Sequence, residues 1–234
     1  GYDGVLPFAP QANYGTPNDL KALVAHAHSR GMMVLLDVVY NHFGPDGNYL
    51  HVYAQPFFNT EVKTPWGPAI NFDAASCRTV RDFFIHNALY WTTEFHFDGL
   101  RLDAVHAMHD RSSTHFVEEL AQTLRAGPGR DRQVHVIVEN DANDARRLRS
   151  PGPRAAQLAD AQWNDDVHHA LHVIVTGETD GYYADFARQP LHLFGRALAQ
   201  GFAYQGEASP YRGGEPRGTP SAQLAPTAFI NAMQ

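Results

Sequence analysis

The run Met32-Met33-Val34-Leu35-Leu36-Asp37-Val38-Val39 constrains this chain more than any other stretch. It has the length of a strand and is apolar at odd and even positions alike, so neither face suits water. A parallel strand covered by helices meets that demand, whereas a half-exposed antiparallel strand would alternate. The residues before it spell a helix. Thr16 can cap, Pro17 suits the first helical position and Asp19 places an acid in the first turn. Leu20, Leu23, Val24 and Ala27 share one face, and Arg30-Gly31 supplies a stop.

The same unit recurs. A helix predicted from about Ser76 to Phe95, with Val80, Phe83, Phe84, Ala88 and Trp91 on one side, leads into a strand at Gly99–Val105. A helix near Ser113–Leu124 leads into a strand at Val134–Glu139. Ala161–Asp165 reads as the next strand, a helix opened by Pro190 carries Leu191, Phe194 and Leu198, and a last strand runs from Phe229 toward Gln234. The Gly/Pro-rich stretches Arg125–Arg132, Ser150–Arg154 and Gln205–Pro226 read as surface connections. Helix and strand alternating in this way imply an α/β protein with a parallel sheet. Ionisable residues gather where the strands end: Asp37 with Asn41 and His42, Asp103 with His106, then Glu139, then Asn164-Asp165-Asp166. A TIM (β/α)8 barrel collects those ends on one face. A doubly wound sheet would instead carry a Gly-rich phosphate turn, and neither G-x-G-x-x-G nor a P-loop occurs. The barrel is the predicted fold.

Composition removes whole classes of function. The formal net charge of -7 and a pI near 6.0 argue against a nucleic-acid or anionic-membrane binder working through a basic face. Mean hydropathy is -0.37, and no apolar run approaches the roughly 20 residues of a membrane helix. The single cysteine, Cys77, cannot form an internal disulfide or a multi-thiolate zinc site, and it reads as inert. No metal or cofactor is expected. His168 and His172 stand four apart beside Asp165 and Asp166, but without H-E-x-x-H the metal reading is the weaker one. Asp46-Gly47-Asn48 is too short for a calcium loop and reads as a turn. Tyr49, Phe57, Phe58 and Trp66 suit either stacking on sugar rings or packing of their own loop.

Two strand-end carboxylates, Asp103 and Glu139, suit glycoside hydrolysis, in which an ionised carboxylate attacks the sugar carbon and a protonated one feeds the leaving oxygen. Arg101 falls on the same strand face as Asp103, because side chains alternate with period two, and its fixed charge would keep that neighbour ionised. The apolar residues before Glu139 favour a drier setting that raises its pKa. Asp37-Val38-Val39-Tyr40-Asn41-His42, the run Gly99–His106 and Glu139 resemble, in order and spacing, the first three signature regions of the α-amylase superfamily of glycoside hydrolases. Further stretches, among them Gly1–Pro7, Asn48–His51, Trp66–Asp73, Glu139–Asp141 and Gln162–His172, resemble the superfamily's malto-oligosyltrehalose trehalohydrolase branch.

That resemblance implies a substrate, maltooligosyl trehalose or a related α-glucan, cut at the α-1,4 bond beside its trehalose end, and a cytoplasmic enzyme. It implies Asp103 as nucleophile and Glu139 as general acid/base. Arg101 would orient Asp103, supported by Asp37 and Asn41. His42 and His106 would hydrogen-bond the sugar, and Tyr2 would stack on it. The nearest rivals are a glycogen branching enzyme, an α-amylase, or a non-catalytic glucan-binding segment. The family's first two strands would lie before Gly1. Its eighth strand, and an Asn-His-Asp motif bearing a third carboxylate, would lie after Gln234. Residues 1–234 are therefore expected to be an internal piece of one catalytic barrel, inactive alone.

Overall fold

In a computed structural model, residues 6–44, 47–64, 66–148 and 158–232 are described. The chain forms two compact units, Gly1–Ile137 and Val138–Gln234. Tyr2 lies outside the described residues.

In the first unit, α1 (Pro17–Ser29) starts at a closed capping box: Thr16 Oγ1 accepts from the Asp19 amide at 3.2 Å, and Asp19 Oδ2 accepts from the Thr16 amide at 2.8 Å. β1 (Leu35–Val38) follows, then the one-turn α2 (Leu50–Tyr53) and an antiparallel hairpin of β2 (Phe58–Thr64) and β3 (Gly67–Ile70). The long α3 (Cys77–Glu94) leads to β4 (Gly99–Leu102), and α4 (Phe116–Ala126) leads to β5 (His135–Glu139), whose last two residues enter the second unit. β4 lies between β1 and the start of β5, and β1 pairs with β4 in parallel, with Asp37 opposite Arg101. The core is aromatic. Phe72 stacks on Phe116 with centroids 4.3 Å apart, and Phe84 sits 4.9 Å from Tyr40. A second cluster of Val24, Trp91, Phe95 and Phe97 seals α1 and α3 together.

The second unit continues with β6 (Ala161–Trp163), α5 (Asp165–Thr176) and α6 (Pro190–Gln200). A short antiparallel hairpin of β7 (Glu207–Ala208) and β8 (Pro216–Arg217) comes next, then β9 (Phe229–Ile230), which pairs with β6 in parallel. Val167, Ala170 and Val173 of α5 pack with Phe186, Ala197 and Tyr204. The alternation of parallel strands and helices is the expected α/β pattern of a partial barrel.

Several expectations are corrected. The first strand is shorter than its apolar run. Met33, 67% exposed, and Leu35 stand in water because no described element covers the face they share with Asp37. The helix expected from Ser113 begins at Phe116, because Asp110 Oδ2 takes the Phe116 amide at 2.6 Å and the His115 ring takes the Val117 amide. On α6, Leu191 and Leu198 are exposed. The face that packs is Leu193, Phe194 and Ala197, rotated toward the α5 contact. The Gln205–Pro226 stretch is no mere surface connection: Ser209, Arg217 and Ser221 are among the most deeply buried polar residues described.

Candidate active site

The end of β4 carries a connected polar group in the first unit. The Asp103 amide donates to Val38 O at 3.0 Å, which carries the ladder one residue past the strand before Ala104 turns away at φ +42°. Alternation puts Arg101 and Asp103 on one face, and the β1–β4 register brings Asp37 beside them. A single guanidinium nitrogen, Arg101 Nη1, donates to Asp103 Oδ1 at 2.9 Å and to Asp37 Oδ1 and Oδ2 at 2.9 and 3.2 Å. Asn41 Nδ2 donates to Asp103 Oδ2 and to its main-chain oxygen, both at 2.9 Å. Each oxygen of this buried carboxylate thus accepts from a fixed donor, an arrangement suited to an oriented anion. The Asp37 side chain is 63% exposed, so its desolvation is only partial. Desolvation still pushes its carboxyl up from the ordinary range, with Arg101 opposing and the charge of Asp103 adding.

His42 is buried. Its Nδ1 donates to Asn41 Oδ1 at 2.5 Å, and its ring stacks on Trp66 at 5.1 Å and 15°. Trp66, 43% exposed, borders a cavity of about 1130 Å³ that Phe43, Phe58, Asn48, His51 and Glu61 also line. Phe57 and Phe58 pack on Phe43, whereas Tyr49 stands in solvent. His106 is exposed in the turn after Ala104. Asp37, Asn41, His42, Arg101 and Asp103 therefore form one connected group in the first unit. Glu139 ends β5, half-buried, in the second unit.

Among the described residues no group of three or more His, Cys, Asp or Glu is arranged to hold a metal ion. His168 pairs with Asp165 at 3.2 Å, His172 with Glu178 at 2.7 Å, and His169 stacks on Tyr182. Burial, helped by the neighbouring charges of His168 and Arg217, pushes His169 down to about 3, so it is a neutral aromatic surface at ordinary pH. Sequence reasoning missed Arg212 and Arg217, which converge on Asp141 two residues after Glu139. Nothing in a Gly/Pro-rich stretch signals that its arginines are counter-ions for a residue more than 70 positions away.

Comparison with known proteins defines the class. The family profile described as "Alpha amylase, catalytic domain" matches residues 1–85. A crystal structure of a protein described as an α-amylase from Salmonella typhimurium superposes on 100% of this chain and 39% of its own, with a TM-score of 0.92 and 47% identity. The fold is α-amylase-like, and residues 1–85 carry the catalytic-domain profile of that family. The chain is similar to the malto-oligosyltrehalose trehalohydrolase of Saccharolobus solfataricus, 44% identical over 212 residues, and to that of Arthrobacter ramosus, 44% identical over 213. Each alignment covers 91% of this chain and 36% of the relative, so the chain spans little more than a third of the length of these curated proteins. Among the described residues no helix is long and apolar enough to cross a membrane.

Proposed function

We propose that this chain is part of a trehalose-releasing glycoside hydrolase. Its substrate is maltooligosyl trehalose, cut at the α-1,4 bond next to the trehalose end by a retaining double displacement. Both units belong to one catalytic barrel, which acts in the cytoplasm in trehalose biosynthesis and needs no cofactor. The observation that carries this reading is Arg101 shared between Asp103 and Asp37, with Asn41 on the remaining oxygen of Asp103.

In this mechanism Asp103 attacks the anomeric carbon while Glu139 protonates the departing oxygen; Glu139 then deprotonates the water that releases the glycosyl-enzyme. Arg101 and Asn41 fix the attacking oxygen, so little reorganisation is needed on the way to the transition state. Asp37 anchors Arg101. His42, His106 and Tyr2 bind the sugar in the cleaved subsite, and the cavity beside Trp66 offers room for further glucose units. Similarity to the two trehalohydrolases favours this substrate over plain glucans.

The test uses the full-length protein, incubated with maltooligosyl trehalose and with plain maltooligosaccharide. Trehalose release from the first, with slower turnover of the second, is expected. Preference for plain maltooligosaccharide would assign a different superfamily activity, and binding without turnover would make the protein a glucan-binding module. Roles separate by leaving group: an activated glucoside should partly rescue Glu139→Gln but not Asp103→Asn. Equal rescue of both would contradict the division of labour.

A further inference from the structure

Arg217 is 2% exposed, yet it sits in the stretch richest in glycine and proline. Its fork explains the burial. Nε donates to the main-chain oxygen of Asp141 at 3.0 Å, and Nη2 donates to Asp141 Oδ1 at 3.1 Å. The same Nη2 pairs with Asp166 Oδ1 at 2.8 Å, and Nη1 lies 3.6 Å from Asp185 Oδ2. The guanidinium also lies over the Tyr204 ring at 5.3 Å. Arg212 completes the set, its Nη2 reaching Asp141 Oδ2 at 2.5 Å and the main-chain oxygen at 3.1 Å. Both carboxylate oxygens and the carbonyl of Asp141 are thus held by two arginines, Arg217 at the end of β8 and Arg212 in the turn before it. Only planar, multi-donor groups can make such contacts together; a lysine ammonium is a single point.

The rest of the turn after Glu139 is tied down from the same side. Thr219, two residues past Arg217, donates its amide to Asn143 O at 3.0 Å, and its hydroxyl accepts from the Ala145 amide at 2.8 Å. Gln162 Nε2 donates to Asn140 O at 3.0 Å, and Asn143 Nδ2 donates to Asp166 Oδ2 at 2.8 Å. These contacts hold Asn143 at φ +52°, a left-handed conformation that a side chain adopts only at a cost. The turn is thus a largely buried connection held at both its main chain and its side chains, with Asn140 and Asn143 each about 1% exposed.

We propose that Arg212 and Arg217 are positioning residues for Glu139: by clamping Asp141 they fix the turn that ends β5, and so aim the Glu139 carboxyl at the glycosidic oxygen of the α-glucan. This rests on the acid/base role given to Glu139 above. Arg217 also neutralises buried Asp166 and Asp185, so replacing it endangers folding. Arg212 is less buried, and of these carboxylates it meets Asp141 alone, which makes it the decisive position.

The experiment measures kcat and KM of the full-length protein on maltooligosyl trehalose and on an activated glucoside, for Arg212→Met, Arg212→Lys, Arg217→Lys and, as reference, Glu139→Gln. Misplacement of a reacting group by about 1 Å costs on the order of 10²-fold. Arg212→Met should therefore lower kcat by about ten- to a hundred-fold with KM within about twofold, and the loss should shrink on the activated glucoside. Arg212→Lys should recover only part of it, and Arg217→Lys, where it folds, should lose at least as much as Arg212→Met. Unchanged kcat in Arg212→Met, a loss in KM alone, or equal losses on both substrates would overturn the clamp while a leaving-group-dependent loss in Glu139→Gln leaves the acid role standing. Full turnover by Glu139→Gln would overturn that role, and the clamp with it.

Discussion

Removing one oxygen from Tyr40 should weaken the scaffold beneath the candidate site by an amount the structure allows to be worked out. Tyr40 is 2% exposed, and its hydroxyl donates to Asn87 Oδ1 at 2.5 Å. Asn87 Nδ2 donates onward to Pro7 O at 2.9 Å, which also accepts from Trp91 Nε1 at 3.0 Å. Burial pushes the phenol's pKa upward, so it remains a donor at any practical pH. Tyr40→Phe keeps the ring against Phe84 but strands the Asn87 oxygen in a dry core. A lost hydrogen bond costs about 0.5–1.5 kcal/mol, and a buried acceptor left unpaired about 1–3 kcal/mol. The two costs overlap, so about 2 kcal/mol is expected, a fall of about 4–8 °C in Tm for a chain of this size. Thermal unfolding followed by calorimetry reads that shift. Because loss of the hydroxyl alone could act through packing, the same change is then made on an Asn87→Leu background. There the hydroxyl already lacks its acceptor, and Tyr40→Phe should cost far less. A change below about 0.5 kcal/mol in the native background, or the same cost in both backgrounds, would refute the reasoning.

Two further outcomes follow from the geometry. Unfolded, His169 takes a proton near its ordinary 6.5, but folded only near about 3, so the unfolded state binds more protons between those values and stability falls as pH drops through that window. His169→Phe should flatten the slope of Tm against pH from 6.5 to 3, and slopes identical to the parent would remove His169 as the cause. At Gly99, a Cβ would stand 2.3 Å from His135 O, a backbone atom of the neighbouring strand. Gly99→Ala should therefore destabilise by about 1–3 kcal/mol or more, read as a lowered urea midpoint, and a neutral result would mean that β4 and β5 are less tightly packed than they stand.

The sequence by itself determined what short-range physics governs. The Thr16 capping box lies within four residues, and the recurrence of Val80, Phe84, Ala88 and Trp91 marks the buried face of α3 before any fold is known. Period-two alternation likewise put Arg101 and Asp103 side by side. Glu139 was legible as a strand-end acid, and its class of chemistry came from motif order. Tertiary structure alone decided the rest, because it depends on which distant surface arrives. The Asp37–Arg101 pair needs the β1–β4 register, which joins residues 64 positions apart. The exposure of Met33 and Leu35 depends on what covers one face of β1, and the choice of Leu193 over Leu191 on α6 depends on how that helix meets α5. Arg212 and Arg217 look like loop charges until folding carries them to Asp141. Hydrophobic periodicity is written along one element, but a buried counter-ion is defined only by the partner across from it, and no local pattern names that partner.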